Sequence, residues 1–246
     1  MQIETYVLPS LLKEPERRAC IVIDVLRATS TLATLIARGV REVAVVAAIE
    51  QAFALRDAGG EAVRLLCGEV GGLPPAGFDY GNSPEEFSRL DLAGQRAVLF
   101  TSNGTKALVR VAGAPAVFAG SLLNVTAVVR TALSEAQVHG LDLALVCSGT
   151  ELGTAFSLED AFCAGALIAA AREALPQPPR LGDGAQMALR LYDSFGRDAE
   201  AAFAAAEHGR ALAALGLGAD LQFCAEVDRY AVAPRVQRRG ELLVVM

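Results

Sequence analysis

An apolar run of Ile21, Val22 and Ile23 stops at Asp24. Arg27 follows three residues later, ahead of three consecutive hydroxyl side chains, Thr29, Ser30 and Thr31. Leu32, Leu35 and Ile36 then fall at helical spacing. The pattern predicts a buried strand, a polar turn and a helix, with Asp24 at the strand's carboxyl end and the hydroxyls at a helix N-terminus. Open α/β sheets bind ligands at that edge, and helix N-termini attract anions. A carboxylate, a guanidinium and hydroxyls gathered there suit a metal-assisted phosphate site. The plainer reading is that Ser30 or Thr31 caps the helix and Asp24 stays solvated.

Two more apolar strands end in comparable turns. Residues 97–100 run into Thr101, Ser102, Asn103, Gly104 and Thr105, where the glycine permits close backbone approach to a ligand. Residues 141–147 run into Ser148 and Gly149. A shorter strand at 63–67 delivers Glu69 to its carboxyl end, and a Gly- and Pro-rich loop over 70–84 carries Asn82 and Ser83. These two either donate to substrate oxygens or build the turn, with Ser83 as N-cap and Pro84 at the first helical position. The three polar turns are expected to converge on one cleft.

Magnesium takes one or two carboxylates, completed by waters and phosphate oxygens. Asp24, Glu69, Glu159 and Asp160 are the acids at strand ends or in the turns that follow, and two of them are expected to hold the ion. For Glu159 and Asp160, at the start of a long helix over 157–175, complementing the helix dipole is the competing reading. The planar fork of Arg27 matches a pair of phosphate oxygens, with a surface ion pair as the alternative. Of the two histidines, His139 reads as solvated, and His208, before Gly209, as a surface residue or a proton donor.

The elements that must position these groups read as α/β: a layered α/β/α arrangement with a mixed, largely parallel sheet and a ligand site at the carboxyl ends of its strands. Residues 1–246 are expected to form a single domain, with a possible helical subdomain within 177–230. Strands are also expected at 41–46, 116–119, 231–236 and 242–245. Helices are expected at 49–58, closed by Gly59 and Gly60, after Asn124 as a cap, and at 184–195 and 198–215.

Composition narrows the classes of function. With 53% hydrophobic residues the 246-residue chain can bury a large core. Its 22 basic against 28 acidic residues, net −6, with no basic block, disfavour nucleic acid. No stretch approaches the ~20 apolar residues of a membrane span, and Glu4 interrupts any signal-peptide pattern; a cytoplasmic protein is expected. The five cysteines are widely spaced with no C-x-x-C pair and read as core residues. Alanine-rich helices after Gly184 offer apolar faces for self-association, so a homo-oligomer is expected, most plausibly a dimer.

Walker A, G-x-G-x-x-G, H-E-x-x-H and G-x-S-x-G signatures are missing. So is the D-x-D-x-T pattern of haloacid-dehalogenase-type phosphatases, since Leu26 stands where the second acid would be. Four segments in order, I-D-V-L-R-A-T-S-T, G-E-V-G-G through G-F-D-Y-G-N-S-P, T-S-N-G-T, and C-S-G to E-D-A-F-C-A-G, resemble the 2-phosphosulfolactate phosphatase family. The tail H-G-R-A-L followed by D-L-Q-F-C-A resembles it less specifically. The resemblance implies a magnesium-dependent α/β phosphatase that hydrolyses 2-phosphosulfolactate to 3-sulfolactate and phosphate, a step toward coenzyme M. It carries the site onto Asp24, Arg27, Thr29, Ser30, Thr31, Glu69, Asn82, Ser102, Asn103, Gly104, Ser148, Glu159 and Asp160. Direct attack by water, assisted by magnesium, is the expected mechanism. A phosphatase for another small phosphorylated hydroxy acid, or a non-catalytic sensor of a phosphometabolite, are the alternatives.

Overall fold

The computed structural model describes residues 1–58 and 64–246. Gly59, Gly60 and Val63, expected to close a helix and open a strand, lie outside the described residues. In chain order the elements are β1 (Gln2–Tyr6), β2 (Arg18–Ile23), α1 (Ala28–Ala37), β3 (Glu42–Val46), α2 (Ile49–Asp57), β4 (Arg64–Gly68), α3 (Pro84–Ser88), β5 (Arg96–Phe100) and α4 (Gly104–Val111). They continue with β6 (Ala116–Gly120), α5 (Val125–His139), β7 (Asp142–Cys147), α6 (Leu158–Ala174), β8 (Arg180–Leu181), α7 (Asp183–Ser194), α8 (Ala199–Ala205), α9 (Glu207–Ala214), α10 (Gly218–Ala225), β9 (Val236–Arg239) and β10 (Leu242–Val245).

The architecture is layered α/β, with its strands divided between two sheets. The first is parallel, in the order β6-β2-β7-β1-β8; the second runs β4-β5-β3-β10-β9, parallel through β4, β5 and β3 and antiparallel at β10 and β9. Both faces of β2 are buried, as befits a parallel strand. Ile21 and Ile23 face a core shared with α5 and α6, while Cys20 and Val22 face a second core. That second core holds Leu32 and Leu35 of α1, Ala107 and Leu108 of α4, and Val43 and Val45 of β3. Helices α1 and α4 thus lie between the two sheets, each joining a strand of one to a strand of the other.

Register fixes where the strands end. Ile23 pairs with Cys147 in one sheet and Gly68 with Phe100 in the other. The residues that follow, Asp24 and Ser148, Glu69 and Thr101, therefore leave their sheets level with one another. All five cysteines are buried and free, as a core role requires.

Beyond residue 180, Ala185 and Ala188 of α7, Ala202 and Phe203 of α8, Leu212 of α9 and Cys224 of α10 all belong to the core formed with β2, α5 and α6. The helix expected over 198–215 is two helices. The chain bends at Ala206 (ψ 140°), and the Phe203 carbonyl then packs where a side chain on residue 209 would stand, space that only Gly209 leaves. The terminal pair is also shifted: its first strand is Val236–Arg239 rather than 231–236, because Val236 pairs with Val245 and Arg239 with Leu242. Exposed Gln237, Arg238 and Arg239 make it a polar edge strand, a common device against edge-to-edge aggregation and one that hides the strand from an apolar pattern. Asn124 does not cap α5 through its side chain; its Oδ1 accepts instead from the Ser121 amide (2.9 Å) and hydroxyl (3.1 Å).

Candidate active site

Asp24 sits between the first turns of the two helices that lie between the sheets. Its Oδ1 accepts from the Ala28 amide of α1 at 3.2 Å, and its own amide donates to Thr29 Oγ1 at 3.1 Å. From α4, Gly104 comes so close that a Cβ there would stand 2.6 Å from Asp24 Oδ2 and 2.6 Å from the Ala28 Cβ. Burial pushes the Asp24 carboxyl up to about 6; His208 and the Ala28 amide pull it down, and Glu69 and Glu159 add to the rise.

Arg27 is buried and committed. Its Nη1 donates to Asp220 Oδ2 at 2.7 Å and its Nη2 to the Gly72 carbonyl at 2.7 Å. Asp220, from α10, accepts through Oδ1 from the Ser83 hydroxyl at 2.7 Å and the Glu85 amide at 3.3 Å. Across the turn, Glu69 joins two loops by its two oxygens. Oε1 accepts from the Ser102 amide at 2.7 Å and Oε2 from the Gly72 amide at 2.9 Å.

These groups surround a cleft of about 230 Å³, lined by Asp24, Arg27, Glu69, Asn82, Ser102 and Asn103. Its other wall is α9, which contributes His208, Ala211 and Leu212, with Leu215 just beyond. Asn82 is buried, and its Oδ1 has no hydrogen-bond partner within the protein. A buried carbonyl oxygen without a donor is costly unless a ligand, an ion or water satisfies it. Among the described residues no three His, Cys, Asp or Glu side chains are grouped as metal ligands. Magnesium does not require such a group: two carboxylates and a hard carbonyl oxygen, here Asp24, Glu69 and Asn82, suit an ion that keeps several waters and takes substrate oxygens. The residues present fit it.

A model of the 2-phosphosulpholactate phosphatase family matches residues 6–239. The chain belongs to the 2-phosphosulpholactate phosphatase family. A probable 2-phosphosulfolactate phosphatase of Thermotoga petrophila is 37% identical, over 89% of each chain. One of Carboxydothermus hydrogenoformans is 36% identical over 100% of this chain and 97% of its own. A third, from a Synechococcus species, is 40% identical over 90% of each.

Of the positions that the family resemblance marks, the structure brings six to the cleft: Asp24, Arg27, Glu69, Asn82, Ser102 and Asn103. The hydroxyls of Thr29, Ser30 and Thr31 are not offered to a ligand there. All three residues are fully buried; Thr29 Oγ1 holds the Asp24 amide, Ser30 donates to the Val25 carbonyl at 2.8 Å, and Thr31 to the Asn82 carbonyl at 3.3 Å. Thr105 is likewise turned inward, donating to the Thr101 carbonyl at 2.7 Å. Ser83 caps α3, accepting from the Glu86 amide at 3.1 Å, and is tied to Asp220. Gly104 contributes closeness to Asp24 rather than a ligand contact.

Asp160 is a clamp within the fold and not a free metal ligand. Its Oδ1 accepts from the Val25 amide at 2.9 Å, and its Oδ2 from the Ser148 hydroxyl at 3.0 Å and the Gly149 amide at 3.3 Å. Ser148 and Gly149 are thereby consumed in holding the turns after β2 and β7 together. Burial, reinforced by Asp24 and Glu159, holds the Asp160 carboxyl well above the usual carboxylate range. Glu159 opens on a neighbouring cavity of about 440 Å³, not on the cleft.

Asp220 was not among the residues expected at the site. The only signal for it was the D-L-Q-F-C-A segment, which nothing in spacing or periodicity links to Arg27, 193 positions away. Gly72 and the apolar wall of α9 carried no signal either.

Proposed function

We propose that the chain is a magnesium-dependent phosphatase that hydrolyses 2-phosphosulfolactate to 3-sulfolactate and inorganic phosphate, the coenzyme M-type step. The names of its relatives support the substrate. The observation that carries the chemistry is the meeting of Asp24 and Arg27 in one small cleft at the carboxyl ends of two sheets.

In this reading the guanidinium hydrogens of Arg27 not held by Asp220 or Gly72 bind the phosphoryl oxygens and stabilise the charge that develops there. The Ser102 and Asn103 side chains supply further polar contacts. Asp24, accepting from the first turn of α1, orients the attacking water in line with the ester oxygen. Magnesium, held by Asp24, Glu69 and Asn82, supplies Lewis-acid charge for the phosphoryl oxygens when bound. The apolar wall of α9 keeps bulk water from the reacting group. Among the described residues no helix is long and apolar enough to cross a membrane, and the reading makes the enzyme cytoplasmic and dimeric.

Phosphate release from 2-phosphosulfolactate, with magnesium and with chelator, beside phosphoglycolate, phospholactate and a nucleotide, tests this. Magnesium-dependent turnover that prefers the sulfonate is expected. Preference for another acid would keep the chemistry and discard the pathway. Binding without turnover would make the protein a sensor.

A further inference from the structure

The ester oxygen of an alkyl phosphate leaves as a strongly basic alkoxide unless a proton reaches it as the bond breaks. The cleft holds few groups able to give one. Arg27 does not release protons, and Ser102, Asn103 and Asn82 are not acids at neutral pH. Asp24 and Glu69 are the carboxylates assigned to magnesium.

His208 remains, and its placement is specific. It lies on the face of α9 that also presents Ala211, Leu212 and Leu215, the i, i+3, i+4 and i+7 positions, to the cleft. Its Nε2 is 2.9 Å from the Leu26 carbonyl oxygen, in the turn between Asp24 and Arg27. A carbonyl only accepts, so Nε2 carries hydrogen and Nδ1 is the nitrogen free to exchange a proton. His208 also lines the adjoining cavity of about 440 Å³, so it has the cleft on one side and a second space on the other. Toward the cleft it meets the charges of Asp24, Arg27 and Glu69; toward the cavity, those of Glu151, Glu159 and Arg210, with Glu207 preceding it on its own helix.

We propose that His208 is a catalytic residue whose Nδ1 protonates the leaving ester oxygen and is recharged from solvent through the adjoining cavity. This rests on the phosphatase reading. Water forms the new phosphorus–oxygen bond and the ester phosphorus–oxygen bond breaks. The electron pair stays on the ester oxygen, which takes the Nδ1 proton. The water gives up one proton to solvent, and Nδ1 regains one, so the balance is phosphomonoester plus water to alcohol plus phosphate.

The test compares an alkyl ester, 2-phosphosulfolactate or phospholactate, with p-nitrophenyl phosphate, whose aryl oxide leaves without a proton. For His208→Gln and His208→Asn the expected result is a kcat loss of roughly 10²–10⁴-fold on the alkyl ester and a far smaller loss on the aryl ester. An equal loss on both would overturn the proposal, since a structural role does not distinguish leaving groups. No turnover of either ester by the unsubstituted enzyme would overturn the phosphatase reading and this proposal with it. If neither variant folds, the unsubstituted enzyme decides: a shallow dependence of kcat on leaving-group pKa supports the proton donor, and a steep one sinks it.

Discussion

Arg27 Nη1 and Asp220 Oδ2 lie 2.7 Å apart, and each side chain is 2% exposed. The pair joins the turn after β2 to α10 across 193 residues of sequence and fixes how the guanidinium meets the cleft. Removing one member of a buried pair leaves the other's charge uncompensated, at a cost of about 3–5 kcal/mol. Asp220→Ala should therefore lower the urea midpoint by that measure, and Arg27→Ala/Asp220→Ala should cost clearly less than the sum of the two single changes. Additive costs would show that the pair is not coupled.

Gly104 tests the approach of α4 to Asp24. A Cβ 2.6 Å from both Asp24 Oδ2 and Ala28 Cβ must displace the helix start or the carboxylate. Gly104→Ala should cost about 1–3 kcal/mol and lower phosphatase activity more than tenfold. Gly113→Ala, where a Cβ would have no neighbour within 4 Å, is the control. Thermal unfolding and kcat/KM of both variants decide, and a Gly104→Ala enzyme as active as the control would remove the contact from the mechanism.

The Asp24 carboxyl, pushed up to about 6 by burial, gives a signed dependence on pH. Its folded value lies above its unfolded one, so the native state holds the proton longer and stability falls as pH rises from the ordinary carboxylate range through about 6. Asp24→Asn has no such proton to lose. In chelator, the variant's stability relative to the parent should be nearly constant below pH 4 and improve between pH 4 and 7, by on the order of 3 kcal/mol at most. Magnesium should raise the Tm of the parent at pH 8 and leave that of Asp24→Asn unchanged. Parallel stability curves for the two proteins would contradict the shift.

Asp160 should behave as a clamp. Asp160→Ala strands the Val25 and Gly149 amides, and an unsatisfied buried donor costs about 1–3 kcal/mol. Asp160→Asn, which keeps one acceptor oxygen, should lose less. If Asp160 does not touch the metal, the folded Asn variant keeps the parent's magnesium concentration dependence in phosphate release. A tenfold weaker dependence would return Asp160 to the metal site.

The sequence by itself determined the chemistry at the ends of strands. An apolar run that stops at Asp24 can only be a buried strand with a carboxylate at its mouth, and the polar turns at Glu69 and Ser102 follow the same rule, so these groups were legible from composition and period alone. It also determined the Ser83 and Pro84 start of α3, because caps are local. Only the tertiary structure decided which polar groups face the cleft. Thr29, Ser30 and Thr31 share one sequence signature with a phosphate-binding turn, yet α1 lies between two sheets, and hydroxyls buried there must find partners in the backbone. Glu159 and Asp160 are adjacent in sequence, but the helical turn sends one to a neighbouring cavity and the other to the Val25, Ser148 and Gly149 clamp. The division into two sheets, and the arrival of Asp220 and His208 from the far end of the chain, depend on packing between segments nearly two hundred residues apart. No local period records such contacts, because their energy comes from burying a charge beside its partner and from closing an apolar helix face over the cleft.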